Sequence, residues 1–198
     1  MSLNEHITLS ECIHTLNDAH ESYATPLAKV CDDLLDMDSS GNLPWSPWVH
    51  MNTPTIGMSE GNSARNGRGA NRKFNIGVYR ITHVDDISEN GVANRVAYYG
   101  EGRLAMRLGA IRTTFRKSHA GSYTGSAWHP CGGHMFNEEP LPNLENWYYS
   151  VFDLTAYDSA VIVKKDIARV LEYKLVHRDL PRFNDLYQVH NRDVVTGR

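Results

Sequence analysis

Residues 74–100 read FNIGVYRITHVDDISENGVANRVAYYG, and this stretch decides the fold. Residues 74–83 read as a strand. Residues 84–94 are polar and carry Asn90-Gly91, a pair suited to a hairpin loop. Residues 95–99 return as a second strand. Working outward, residues 103–117 predict a helix, with Leu104, Leu108, Ile111 and Phe115 on one apolar stripe. Residues 119–145 are rich in Gly, Pro and Ser and read as an irregular loop. Residues 146–154 read as a third strand. Residues 160–178 predict a second long helix, with Ile167, Val170, Leu171 and Leu175 facing inward and Pro181 stopping it. The order strand, strand, helix, strand, helix predicts an α+β fold with a small three-stranded sheet, mixed or antiparallel, packed against helices.

Upstream, residues 8–36 read as helical, with Thr8 or Ser10 as candidate caps and Pro26 expected to divide the stretch. Residues 37–73 are rich in Gly, Ser, Asn and Pro and keep no period, as a linker or extended arm does. The chain therefore divides into an acidic helical extension (1–41), a linker with a basic end (42–73) and a compact domain (74–198).

The bulk numbers narrow the class. The 198 residues suffice for one full core. Hydrophobic and charged fractions of 41% and 22% are those of an ordinary globular protein. No apolar run approaches the roughly 18–20 residues of a membrane span. The start of the chain lacks the basic and apolar regions of a signal peptide. Three cysteines, Cys12, Cys31 and Cys131, cannot all pair within one chain and suit a reducing compartment, so a cytoplasmic protein is expected. The net charge of −3 is uneven: residues 1–60 carry −8, residues 61–73 carry +4 through Arg65, Arg68, Arg72 and Lys73, and residues 74–198 carry +1. A polyanion would prefer the C-terminal part and the basic segment before it.

Five short motifs punctuate that part: Gly77-Val78-Tyr79, Tyr98-Tyr99-Gly100, Arg107-Leu108, Leu171-Glu172-Tyr173-Lys174-Leu175 and Leu180-Pro181-Arg182-Phe183-Asn184. In this order and at these distances they resemble the catalytic core of the GIY-YIG nuclease family, over roughly residues 74–187. The resemblance implies a divalent-metal-dependent DNA endonuclease, of the restriction or phage type given the chain's length, using Mg²⁺ or Mn²⁺. It implies that Tyr79 and Tyr98 lie side by side and handle the attacking water. It makes Arg107 the clamp on the scissile phosphate, a role for which the guanidinium fork is suited. It makes Glu172 the metal ligand, and Asn184 the residue that braces the site. Three positions depart from the family. Tyr99 stands where a small aliphatic is usual, Gly100 to Arg107 is slightly short, and Ile111 occupies the place of a frequent histidine. The proton carrier is then left to His119, His129, His134 or Lys117.

Further contacts to DNA are expected from Arg103, Arg112, Arg116 and Lys117 on the first helix, from His119, His129 and His134 around the long loop, and from Arg72 and Lys73 in the basic arm. His129, Cys131 and His134 also form a His-x-Cys-x-x-His cluster. It reads either as a zinc site or as a DNA-contacting or active-site loop. The acidic N-terminal helix is a candidate dimer element. The alternative to an enzyme is an inactive module that holds DNA or protein on the same fold.

Overall fold

The computed structural model describes residues 24–53, 75–119, 129–157 and 161–184. Its centre is β2 (Ile76–His83), which is buried on both faces. β3 (Tyr98–Arg103) pairs antiparallel on one side of it and β4 (Trp147–Asp153) on the other, with Tyr79 opposite both Gly100 and Val151. A fourth strand, β1 (Val49–His50), adds to the outer side of β4 and completes an antiparallel sheet in the order β1-β4-β2-β3. The sheet is thus four-stranded rather than three-stranded.

The extra strand comes from the segment read as a linker. Ser46 donates its backbone N–H to Val151 and Met51 does the same to Trp147, so this segment runs along β4 and closes its edge. Met51 is fully buried, and Trp45 and Trp48 hold the Arg80 guanidinium at 4.4 and 4.7 Å. Two residues of strand are too short to show a period in sequence.

Side chains alternate across the sheet and feed two cores. On one face Ile76, Val78, Tyr99 and Phe152 meet α1 (Ala24–Ser39) and α4 (Val161–Asp179). On the other, Tyr79, Ile81, Tyr98, Tyr149 and Trp147 meet α2 (Leu104–His119) and α3 (Pro130–Glu138). Leu104, Leu108, Ile111 and Phe115 all enter this second core, as their spacing requires. Each such side chain contributes about 1.5–3 kcal/mol. Among the described residues no helix is long and apolar enough to cross a membrane.

α1 is continuous from Ala24. Pro26 falls in its first turn, where backbone N–H groups have no partner to lose, so it does not divide this part of the helix. Val30, Cys31 and Leu34 pack on α4, and Lys174 and Arg178 reach Asp32 and Asp38, each at 2.6 Å. α4 ends at Leu180, whose φ of 47° is left-handed and whose N–H returns to Val176.

α3 lies within the stretch read as an irregular loop. Pro130 opens it, at a position where its missing N–H is harmless. Gly132 is not a turn residue: a side chain there would strike the Ile111 carbonyl and Thr114, so glycine is what lets α3 lie against α2.

Candidate functional site

The hairpin of β2 and β3 sets two tyrosines beside each other. Their rings lie 6.0 Å apart, and Tyr98 is hydrogen-bonded to Tyr79. The Tyr79 ring crosses the strand pair directly over Gly100. Any Cβ at position 100 would overlap the phenol, so the glycine of the second triplet is the floor on which Tyr79 rests. Gly77 is equally constrained, because a side chain there would strike the Phe152 carbonyl. Gly100→Ala should displace Tyr79 and cost about 1–3 kcal/mol. A thermal melt should fall by about 2–4 °C per kcal/mol. An unchanged melting temperature would mean that the ring moves freely.

Tyr79 and Tyr98 are buried, at 1% and 4% exposure, and form the base of the site. Its rim is charged. Arg107, exposed on the first turn of α2, extends beside Gly102, whose φ of 114° favours glycine and where a Cβ would make only ordinary contact with the guanidinium Nε at 3.5 Å. Glu172 reaches in from α4 and is partly buried. Arg107 and Glu172 both act electrostatically on the Tyr79 phenol, and Arg107 acts also on Glu172. Arg107 and Glu172 thus lie within electrostatic range of the Tyr79 phenol, although Tyr79 and Tyr98 face α2 and α3 while Glu172 is carried by α4, which packs on the other face of the sheet.

Two further charges belong there that the sequence did not single out. Glu101, opposite Val78 on β3, and Arg169, one turn before Glu172 on α4, both act on Glu172. A lone acid on a short strand carries no signal until the register assigns it a face.

Burial, with Glu101 second, pushes the Glu172 carboxyl up to about 8, while Arg107 and Arg169 pull it down. Burial holds the Tyr79 hydroxyl well above the usual phenol range. Both groups are neutral at pH 7 without a cation. Tyr79 is thus a hydrogen-bonding hydroxyl rather than a phenolate base.

His129 sits inside this site rather than on a DNA-facing loop. It is 5% exposed, its Nε2 lies 3.3 Å from the Tyr79 hydroxyl, and its ring meets the edge of Tyr98 at 5.8 Å. Burial, with Arg107 second, pushes its imidazole down to about 4, so it is uncharged.

Asn184 is a brace in a literal sense. Its Oδ1 accepts from the Tyr99 N–H and its Nδ2 donates to the Tyr99 carbonyl, both at 2.9 Å. It closes the free side of β3 and touches none of the rim charges in doing so. Tyr99 points to the opposite face, where its hydroxyl donates to Asp179 at 2.6 Å and ties β3 to the helix that carries Glu172. That bond gives the large residue at this position a use.

No match to this chain is found among family models, curated proteins or solved structures.

The expected DNA contacts do not form one face. At about 100° per residue along α2, Lys117 falls about 80° from Arg107 and Arg116 half a turn away, while Arg103 is the last residue of β3 rather than part of the helix. Arg103, Arg116 and Lys117 are exposed. Arg112 does not face a polyanion: it is 5% exposed and donates to the carbonyls of Met51 and Thr53, holding the edge segment in place. His134 stacks on Phe183 at 5.5 Å. Cys131 is buried in the core, and among the described residues no group of three or more His, Cys, Asp or Glu side chains is placed to hold a metal ion. His129, Cys131 and His134 thus do not converge as a zinc site would require. Arg72, Lys73 and the side chain of His119 lie outside what the structure describes.

Proposed function

We propose that the chain is a divalent-metal-dependent DNA endonuclease of the GIY-YIG type. The observation that carries this reading is the Tyr79–Tyr98 pair on the β2–β3 hairpin, with Gly100 beneath the Tyr79 ring and with Arg107 and Glu172 within electrostatic range of it. Phosphodiester hydrolysis needs a placed water, neutralisation of charge on the phosphate and a stabilised leaving oxygen. The exposed Arg107 offers a planar fork to the phosphate at the rim. Tyr79, kept neutral, accepts from the water and fixes its line of attack. Tyr98 holds Tyr79.

The donor set fits a hard, hydrated cation. Glu172 is a carboxylate kept protonated by burial and by Glu101, and a positive ion would relieve both penalties. One or two carboxylates with several waters is the usual environment of Mg²⁺. When bound, such an ion would supply charge neutralisation at the phosphate.

A second reading, a module that holds DNA without cutting it, is favoured by Ile111, an apolar and fully buried residue at the place of a frequent family histidine. A supercoiled-plasmid assay with Mg²⁺, Mn²⁺ or EDTA separates the two. Metal-dependent nicking is expected, falling about 10²-fold or more in Arg107→Ala. A gel shift without nicking would favour the module. Neither nicking nor a shift would overturn the reading.

A further inference from the structure

The geometry points to His129 as the positioning residue of this site, accepting the Tyr79 hydroxyl proton at Nε2 so that the Tyr79 oxygen is turned toward the attacking water. The inference rests on the nuclease reading and assigns the place that Ile111 leaves empty of polar function.

α2 cannot supply the group itself, because Ile111 is fully buried in the core. The neighbouring helix supplies it instead. His129 is the N-cap of α3 and its backbone N–H donates to Thr114 Oγ1 at 2.8 Å. Thr114 and the Ile111 carbonyl are the same groups that the bare Gly132 lets α3 approach. The α2–α3 contact therefore has a product: it delivers an imidazole to Tyr79 from outside the recognised motifs.

In this arrangement Tyr98, whose ring lies 6.0 Å from that of Tyr79, donates to the Tyr79 oxygen. The proton of Tyr79 is then free for Nε2, 3.3 Å away. A neutral imidazole that accepts at Nε2 carries its own proton on Nδ1. Nδ1 is buried and has no partner among the described residues. Such a group is costly to bury and calls for a reason to be kept. Orienting Tyr79 is that reason. No proton leaves the pair; His129 acts only by fixing which lone pair of Tyr79 is free.

Two variants and one spectrum test this on the full chain. His129→Phe keeps a ring of similar shape without the acceptor, and His129→Gln restores an acceptor. With supercoiled plasmid and Mg²⁺, His129→Phe should lose about 10²-fold in kcat with KM unchanged, the scale of a misplaced reacting group. His129→Gln should recover at least tenfold of that loss. The ¹⁵N NMR spectrum of wild type at pH 7 should show His129 protonated on Nδ1, a readout that needs no activity. Wild-type kcat in His129→Phe, no recovery in His129→Gln, or a proton on Nε2 would each overturn the inference while leaving the nuclease reading intact. A wild-type protein that cuts under no metal would instead remove the nuclease reading, and this inference with it.

Discussion

Replacing Glu172 by glutamine is expected to lower metal-dependent strand cleavage by about 10³-fold, the scale seen when a single charge-stabilising group is lost. The protein should remain folded, because glutamine resembles the protonated acid that burial already favours. The acid's ordinary value is near 4.5 and the folded protein holds it near 8. Between these two values the folded chain keeps a proton that the unfolded chain has released. The contribution of this group to stability therefore falls as pH rises through that window and is level above it. Glutamine has no proton to lose, so in EDTA the variant should melt increasingly above wild type from pH 5 to pH 8. A metal bound at Glu172, as proposed, would have to displace the same proton. Mg²⁺ affinity of wild type should thus rise by up to about tenfold per pH unit until about pH 8. Calorimetric melts at four pH values and a metal titration check both. Parallel melting curves for the two proteins would mean that Glu172 is not buried as a neutral acid.

Asn184→Ala is expected to carry the largest stability loss among the motif residues, about 2–4 kcal/mol. It leaves the Tyr99 N–H and carbonyl without partners at a buried edge, and each orphaned group costs about 1–3 kcal/mol. The melting temperature should drop by roughly 2–4 °C per kcal/mol. Asn184→Asp sharpens the test. It keeps the acceptor for the N–H but turns a second oxygen toward the Tyr99 carbonyl. At neutral pH it should be nearly as damaging as alanine. On acidification it should recover, because a protonated acid can donate where the amide did. A melt for Asn184→Asp that matches wild type at pH 7 would contradict the paired geometry. Cleavage should fall in step with unfolding in both variants, since the brace acts on the strand that carries Tyr98.

β2, β4, α2 and α4 were legible in the sequence because each repeats its pattern long enough to be seen, whereas the second strand, expected at 95–99, runs from Tyr98 to Arg103. The stripe from Leu104 to Phe115 spans three turns, and Ile167 to Leu175 spans two. β1 and α3 were not. A two-residue strand has no period, and Pro130-Cys131-Gly132-Gly133 has the composition of a turn. Its glycine serves close helix packing instead, which only a three-dimensional neighbour reveals. The same limit applies at the site. Tyr79, Tyr98, Arg107, Glu172 and Asn184 are candidates that their order along the chain suggests. Glu101, Arg169 and the contact of His129 with Tyr79 depend on strand register and helix crossing, which no linear spacing encodes. Arg112 was misread as a DNA contact because a basic residue among several looks solvated, and its buried partners are carbonyls some sixty positions away.

The partly covered margins of the sheet bear on how this chain meets a second copy of itself. β4 is bordered by the segment from Ser46 to Met51, and Ala97 and Tyr99 on the outer side of β3 are taken by Phe183 and Asn184. Among the described residues these stretches are paired and offer no bare amides to a foreign strand. α1 likewise spends Val30, Cys31 and Leu34 on α4 and keeps an acidic outer surface. If the proposed cutting takes two hairpins on opposite strands of one duplex, the DNA itself would be one means of bringing them into register, and such a pairing would come apart when the product leaves.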